Sequence, residues 1–133
     1  MTDSPNPAAL AGVRVLDLSR VLAGPWASQL LGDLGAEIIK IERPGAGDDT
    51  RGWGPPFLKN DAGETTDAAY FLSANRNKKS VVIDIAAPEG AELVRRIAKT
   101  SHVLLENFKV GGLRKYGLDY ASVAKVNPSL VYC

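Results

Sequence analysis

Two short apolar runs joined by one helical pattern constrain this chain more than any other feature. Residues 13–18, VRVLDL, lie between Gly12 and a turn. A β-branched, apolar run of that length reads as a strand buried on both faces. Residues 19–24 form the turn, and Pro25 stands where a helix would begin, a position that loses no hydrogen bond and has its φ preset. Trp26, Leu30, Leu31 and Leu34 follow at one-sided helical spacing, so this stripe is expected to pack on a sheet. Gly35 is placed to stop the helix in the left-handed conformation. Glu37–Glu42, EIIKIE, supplies the next strand. Strand, helix and strand within about 30 residues make the parallel crossover unit, which is almost always right-handed.

The pattern continues after a long interruption. Residues 43–68 are rich in Gly, Pro and Asp and show no apolar periodicity. A loop of that length is uncommon in a compact domain and is usually functional or part of an interface. Residues 69–74 read as a helical turn and 80–85 as a strand. Pro88 opens a helix with Ala91, Val94, Ile97 and Ala98 on one side, and residues 103–106 form a short buried strand. Gly111 and Gly112 mark a turn before a short helix at 113–116. Asp119 is expected to cap a further helix through Val123 and Val126, ending near Asn127 and Pro128. Residues 130–133 read as a strand beginning. The expected class is α/β: a Rossmann-like parallel sheet with helices on both faces, incomplete at its C-terminus.

Composition narrows the function. The 133 residues give room for one domain, and 45% apolar with 23% charged residues are ordinary globular values. A formal net charge of +1 offers no electrostatic footprint for nucleic acid or an anionic membrane. The single cysteine, Cys133, makes no internal disulfide or zinc pattern and suits a reducing, cytoplasmic setting. Residues 1–9, MTDSPNPAA, lack the basic-then-apolar layout of a signal peptide and are expected to form a mobile tail. No apolar run approaches the roughly 20 residues that span a bilayer.

In a doubly wound sheet, ligands bind beyond the carboxyl ends of the strands, and three stretches occupy such positions. The turn 20–25, RVLAGP, presents backbone N–H groups and a helix start. Its one glycine does not make G-x-G-x-x-G, which argues against a dinucleotide site; a plain connection is the other reading. Arg43 ends the second strand, where doubly wound folds contact the adenosine ribose. An arginine there points to a phosphorylated ribose, as in NADP or coenzyme A, although a surface arginine after a strand reads the same way. Asn107, Phe108 and Lys109 follow the strand at 103–106 with an amide, a ring and an ammonium. Taken singly, none of the three decides a function. His102, the only histidine, is expected to be solvated, and Asp17 to bond neighbouring backbone. Asp48 and Asp49 are expected to face solvent. There is no Ser/His/Asp set, metal spacing or Walker loop.

In order and spacing, LAGVRVLDLSRVLAGP, LGDLGAEIIKIERPGAGDDTRGWGPPF, NRNKKSVVIDI, PEG and VLLENF resemble family III CoA-transferases. That group includes formyl-CoA transferase, carnitine CoA-transferase and α-methylacyl-CoA racemase. The resemblance covers residues 10–133, and residues 45–57 look closest to members handling succinyl- or glutaryl-type dicarboxylic acids. It implies the N-terminal part of a CoA-binding domain, with an acyl-CoA and a small carboxylic acid as substrates and no metal. Val21, Leu22 and Ala23 would line the pantetheine and thioester, and Arg43 would lie against the adenine nucleotide. Ile83, Asp84, Ile85 and Ala86 would border the adenine. Asn107, Phe108 and Lys109 would continue along coenzyme A, and Lys115 would stand at a phosphate. The resemblance further implies an interlocked homodimer and an aspartate nucleophile beyond the equivalent of Cys133. No aspartate in the chain matches that nucleophile, so these 133 residues alone are expected to be inactive. A racemase-type isomerase, or a non-catalytic CoA-binding or assembly module, is the alternative.

Overall fold

The computed structural model describes residues 8–133. The expected tail falls mostly outside them; of it, only Ala8 and Ala9 are described, in a turn closed by the Ala11 N–H on the Ala8 carbonyl. Seven strands and four helices follow in the order β1 (Arg14–Asp17), α1 (Ala23–Asp33), β2 (Glu37–Glu42), β3 (Phe57–Lys59), β4 (Thr65–Ala68), α2 (Ala69–Ser73), β5 (Lys78–Val82), α3 (Pro88–Lys99), β6 (Val103–Leu105), α4 (Tyr120–Val123) and β7 (Val131–Tyr132). Five strands form one parallel sheet in the order β5-β2-β1-β6-β7. With the first strand central and successive strands added outward on either side, this is the Rossmann-like arrangement expected from the sequence.

Alternation along the strands sorts the two faces. Leu16, Leu18, Ile41 and Leu104 pack with Val94 and Ala98 of α3 and Val123 of α4. Val15, Ile38 and Leu105 pack on the other face, against Leu31 of α1. Helices therefore cover both faces. α3 has the regular construction: Pro88 at its start, Glu89 in the first turn, and Arg96 and Lys99 in the last turn, where they oppose the helix dipole.

Four expectations need correction. α1 does not bury the stripe that its spacing suggested. Trp26, Leu30 and Leu34 are 61%, 58% and 44% exposed, while Pro25, Ser28 and Gln29 are buried. The helix turns its polar side inward because the carboxyl half of the sheet beneath it is ionic. Second, the long loop contains a 3₁₀ turn (Asp49–Gly52) and an antiparallel β3–β4 hairpin. β3 is wholly exposed and β4 is exposed at Thr65 and Thr66, with only Ala68 buried, so burial imposed no alternation on them. Third, Asp119 precedes α4, but its side chain caps no backbone N–H and instead accepts from the Ser122 hydroxyl. Fourth, the strand expected at 80–85 is β5, Lys78–Val82, which starts and ends earlier, leaves residues 83–85 beyond its carboxyl end and has the exposed residues typical of a sheet edge.

Candidate functional site

The turn between β1 and α1 lies at the carboxyl end of the central strand, and side chains from three other segments hold it. The Ser19 N–H donates to Asp17 Oδ1, and the Ser19 carbonyl accepts from Lys40 Nζ at 2.9 Å. Asn107 takes both backbone groups of Arg20, accepting its N–H at 2.9 Å and donating to its carbonyl at 2.6 Å. The Val21 N–H points between both oxygens of Asp48, 3.3 Å from each. Val21 has φ of 71°, an outlier for a β-branched residue. Gly24 is required next, because any side chain there would overlap Ser19. The turn's one glycine thus accommodates the protein itself rather than the close approach of a pyrophosphate.

Beneath α1 the sheet carries a buried ionic layer. Lys40 and Asp48 are enclosed, with side chains 1% and 0% exposed, and pair at 2.8 Å. The expectation that Asp48 faces solvent is therefore overturned. It accepts from Lys40 and from the Thr50 N–H and hydroxyl, starting the 3₁₀ turn. Burial works against its charge, but these donors outweigh burial and hold its carboxyl below the ordinary carboxylate range. Glu42 behaves alike: burial raises its pKa, yet Arg51, Ser80 and the Asp48 N–H bring it down to about 2. Lys78 is enclosed beside Asp17, the Pro25 carbonyl and Asn75. Burial pushes its ammonium down to about 8, while Asp17 pulls the other way. Asp17 bonds the Ser19 N–H as expected, and also Ser19 and Ser28 hydroxyls.

On the α3 side, two clefts open at the carboxyl ends of the strands. One, of about 180 Å³, is lined by Arg20, Arg43, the strand-end residues Ile83 to Ile85, and Phe108 and Tyr116. The other, of about 340 Å³, runs from Ile85 and Ala86 to Arg95, Lys115 and Tyr116. Ile85 and Tyr116 line both. The Arg20 guanidinium lies 4.9 Å from the centre of the Phe108 ring, and Asp49 stands between Arg20 and Arg43. Half of the Arg43 side chain is exposed. A slot walled by Ile83, Ile85, Phe108 and Tyr116, with Asp84 among them and a pair of cations at each end, suits a ligand with a flat ring and separated phosphates.

The structure thus brings together Arg43, Ile83, Asp84, Ile85, Ala86, Phe108 and Lys115. Asn107 lies beside them, with both amide atoms engaged on Arg20. Val21, Leu22 and Ala23 belong to the neighbouring turn and line neither cleft, and the same is true of Lys109. Among the lining residues that the sequence did not point to are Arg95 and Tyr116, while Arg20 was singled out only as part of the 20–25 turn, for its backbone rather than its guanidinium. His102 is exposed, its Nδ1 accepting the Arg14 N–H. Among the described residues no helix is long and apolar enough to cross a membrane, and no group of three His, Cys, Asp or Glu stands ready for a metal ion.

The profile of CoA-transferase family III matches residues 10–133, nearly the whole chain. The chain belongs to CoA-transferase family III. Among its relatives in the family, a succinate–glutarate CoA-transferase of Agrobacterium fabrum (strain C58) is 56% identical across 100% of this chain and 34% of its own length. A succinyl-CoA:glutarate CoA-transferase of Mus musculus is 53% identical over 98% of this chain and 28% of its own. A crystal structure of a CAIB/BAIF family protein from Brucella suis superposes with a TM-score of 0.89 at 54% identity, covering 96% of this chain and 33% of that one. The chain therefore spans about a third of the length of these family III proteins.

Proposed function

We propose that these residues hold coenzyme A in a CoA-transferase that exchanges CoA between a succinyl-CoA-type donor and a small dicarboxylic acid of the glutarate kind. One observation carries the reading: in a family III chain, two adjoining clefts at the carboxyl end of a parallel sheet join a slot walled by Ile83, Ile85, Phe108 and Tyr116 to cations at both ends. The names of the relatives support the acid class. In the proposed pose, Ile83 to Ala86 border the adenine and Arg43 takes the ribose phosphate or the ring face. Phe108 continues along the ligand, Lys115 stands at a phosphate, and Val21 to Ala23 face the pantetheine. The covalent step is assigned to an aspartate outside these 133 residues. Its carboxylate attacks the donor thioester carbonyl, and the C–S bond breaks as CoA leaves and a mixed anhydride forms. The CoA thiolate then attacks the aspartyl carbonyl, releasing the donor acid and leaving a thioester that the acceptor acid takes up in reverse order. The proposal includes a cytoplasmic setting and an interlocked homodimer for the whole protein.

Arg43 supplies the test. Loss of hydrogen bonds to a charged group costs about 1.5–3 kcal/mol, roughly ten- to a hundredfold in affinity. Arg43→Ala is expected to weaken CoA binding by that factor, measured by calorimetric titration. Removing the 3′-phosphate from CoA is expected to cost the variant less than the wild type. Unchanged CoA affinity, or NADP displacing CoA as well as CoA itself does, would reject the assignment.

A further inference from the structure

We propose that Lys40, Asp48 and Asn107 are positioning residues that hold the β1–α1 turn in its left-handed form at Val21 and so fix the pantetheine side of the ligand site. The inference rests on the reading of these clefts as a CoA site, and it gives a role to a buried network that ligand contact does not explain. Every backbone N–H and C=O from Ser19 N to Val21 N is taken by a side chain. A run of turn backbone satisfied wholly by side chains is over-determined, and this is the circumstance in which an unfavourable conformation persists. Val21 is such a residue, with φ of 71°.

The anchors come from segments that also frame the nucleotide side. Lys40 lies on β2, three residues before Arg43. Asp48 starts the 3₁₀ turn, and its neighbour Asp49 pairs with Arg43. Asn107 precedes Phe108, on whose ring Arg20 rests. The Lys40–Asp48 pair therefore ties the turn to the β2 end, so that the two halves of the site keep a fixed separation. A lysine and an aspartate with no exposed surface are costly to maintain, and an apolar pair often packs as well. Stability alone gives weak grounds for them; holding Ser19 and Val21 gives specific ones.

Both buried charges are removed together in the test, so that neither is stranded. Lys40→Met with Asp48→Asn keeps an acceptor for the Val21 and Thr50 N–H groups, whereas Lys40→Met with Asp48→Leu keeps none. Asn107→Ala, at an exposed position, loosens the same turn without touching the ionic pair. Titrations use CoA and adenosine 3′,5′-bisphosphate, which lacks the pantetheine arm. The Asp48→Leu form and Asn107→Ala are each expected to bind CoA about tenfold more weakly and the bisphosphate within twofold of wild type. The Asp48→Asn form should recover part of the CoA affinity, the remaining deficit reflecting the Lys40 donor to the Ser19 carbonyl that both double variants lack. Equal CoA affinity in the Asn and Leu forms, with Asn107→Ala unchanged, overturns the proposal. So does an equal loss for both ligands in the Leu form and in Asn107→Ala, which marks general damage. A wild-type chain that binds neither ligand rejects the CoA reading itself, and the positioning role with it.

Discussion

Lys40 lies in the middle of EIIKIE, a run that otherwise reads as a buried strand, and its ammonium ends 2.8 Å from Asp48. A lysine at such a position demands an enclosed acid, and that demand was the signal in sequence that Asp48 does not face solvent. The adjacent glycines of the GAGDD segment hid it, since acids in glycine-rich stretches are ordinarily solvated. Glu42 offers the sharpest check on this layer. Its folded pKa of about 2 lies below the ordinary glutamate value of 4.5. A depressed carboxylate contributes stability that is fully present above the unfolded value and is lost as pH falls through the folded one. Glu42→Gln is therefore expected to lower stability at pH 7 by on the order of 2 kcal/mol. The gap between wild type and variant should close between about pH 4.5 and 2. Denaturant unfolding of both proteins at pH 7, 4 and 3 measures it, and a gap independent of pH would contradict the account.

At the scale of elements, legibility followed burial. β1, β2, β6 and α3 carry apolar side chains onto the sheet, so their spacing reported them. α1 shows the limit of that logic: periodicity locates the apolar stripe of a helix, not the side it turns inward. The inner side here bears Ser28, which donates to Asp17, and Gln29, which bonds the Ser73 carbonyl and the Arg76 N–H. The β3–β4 hairpin escaped for the opposite reason, having too little burial to impose a pattern. Of the cleft lining, Arg43 was legible because strand ends locate ligands in this fold, whereas residues 83–86 were suggested only by the family resemblance. The turn's anchors were not legible, since they lie far apart in sequence. Gly90, in the first turn of α3, is a feature that only coordinates reveal: a side chain there would overlap the Asp84 carbonyl oxygen. Gly90→Ala is expected to cost about 2–3 kcal/mol and to push residues 83–86 out of the cleft. It should lower CoA affinity as well as melting temperature. A variant with wild-type melting and wild-type binding would refute this packing.

Across the molecule, the parallel order β5-β2-β1-β6-β7 gathers the ends of all five strands at one edge. Segments more than 60 residues apart in sequence, Arg20 to Ile83 and Arg43 to Phe108, therefore meet in one cleft. The opposite edge, around Gly12, Gly35 and His102, has a hollow of about 330 Å³ but lies at the amino ends of the strands, where this fold does not bind ligands. The two edges give opposed expectations for a single measurement, hydrogen–deuterium exchange of the chain with and without saturating CoA. With CoA in the clefts, exchange is expected to slow in residues 19–23, 41–44, 83–87 and 107–117, and to stay unchanged around residues 12–14, 35–37 and 100–102. Slowing confined to the second set, or none anywhere at saturating CoA, would contradict the assignment of CoA to these clefts.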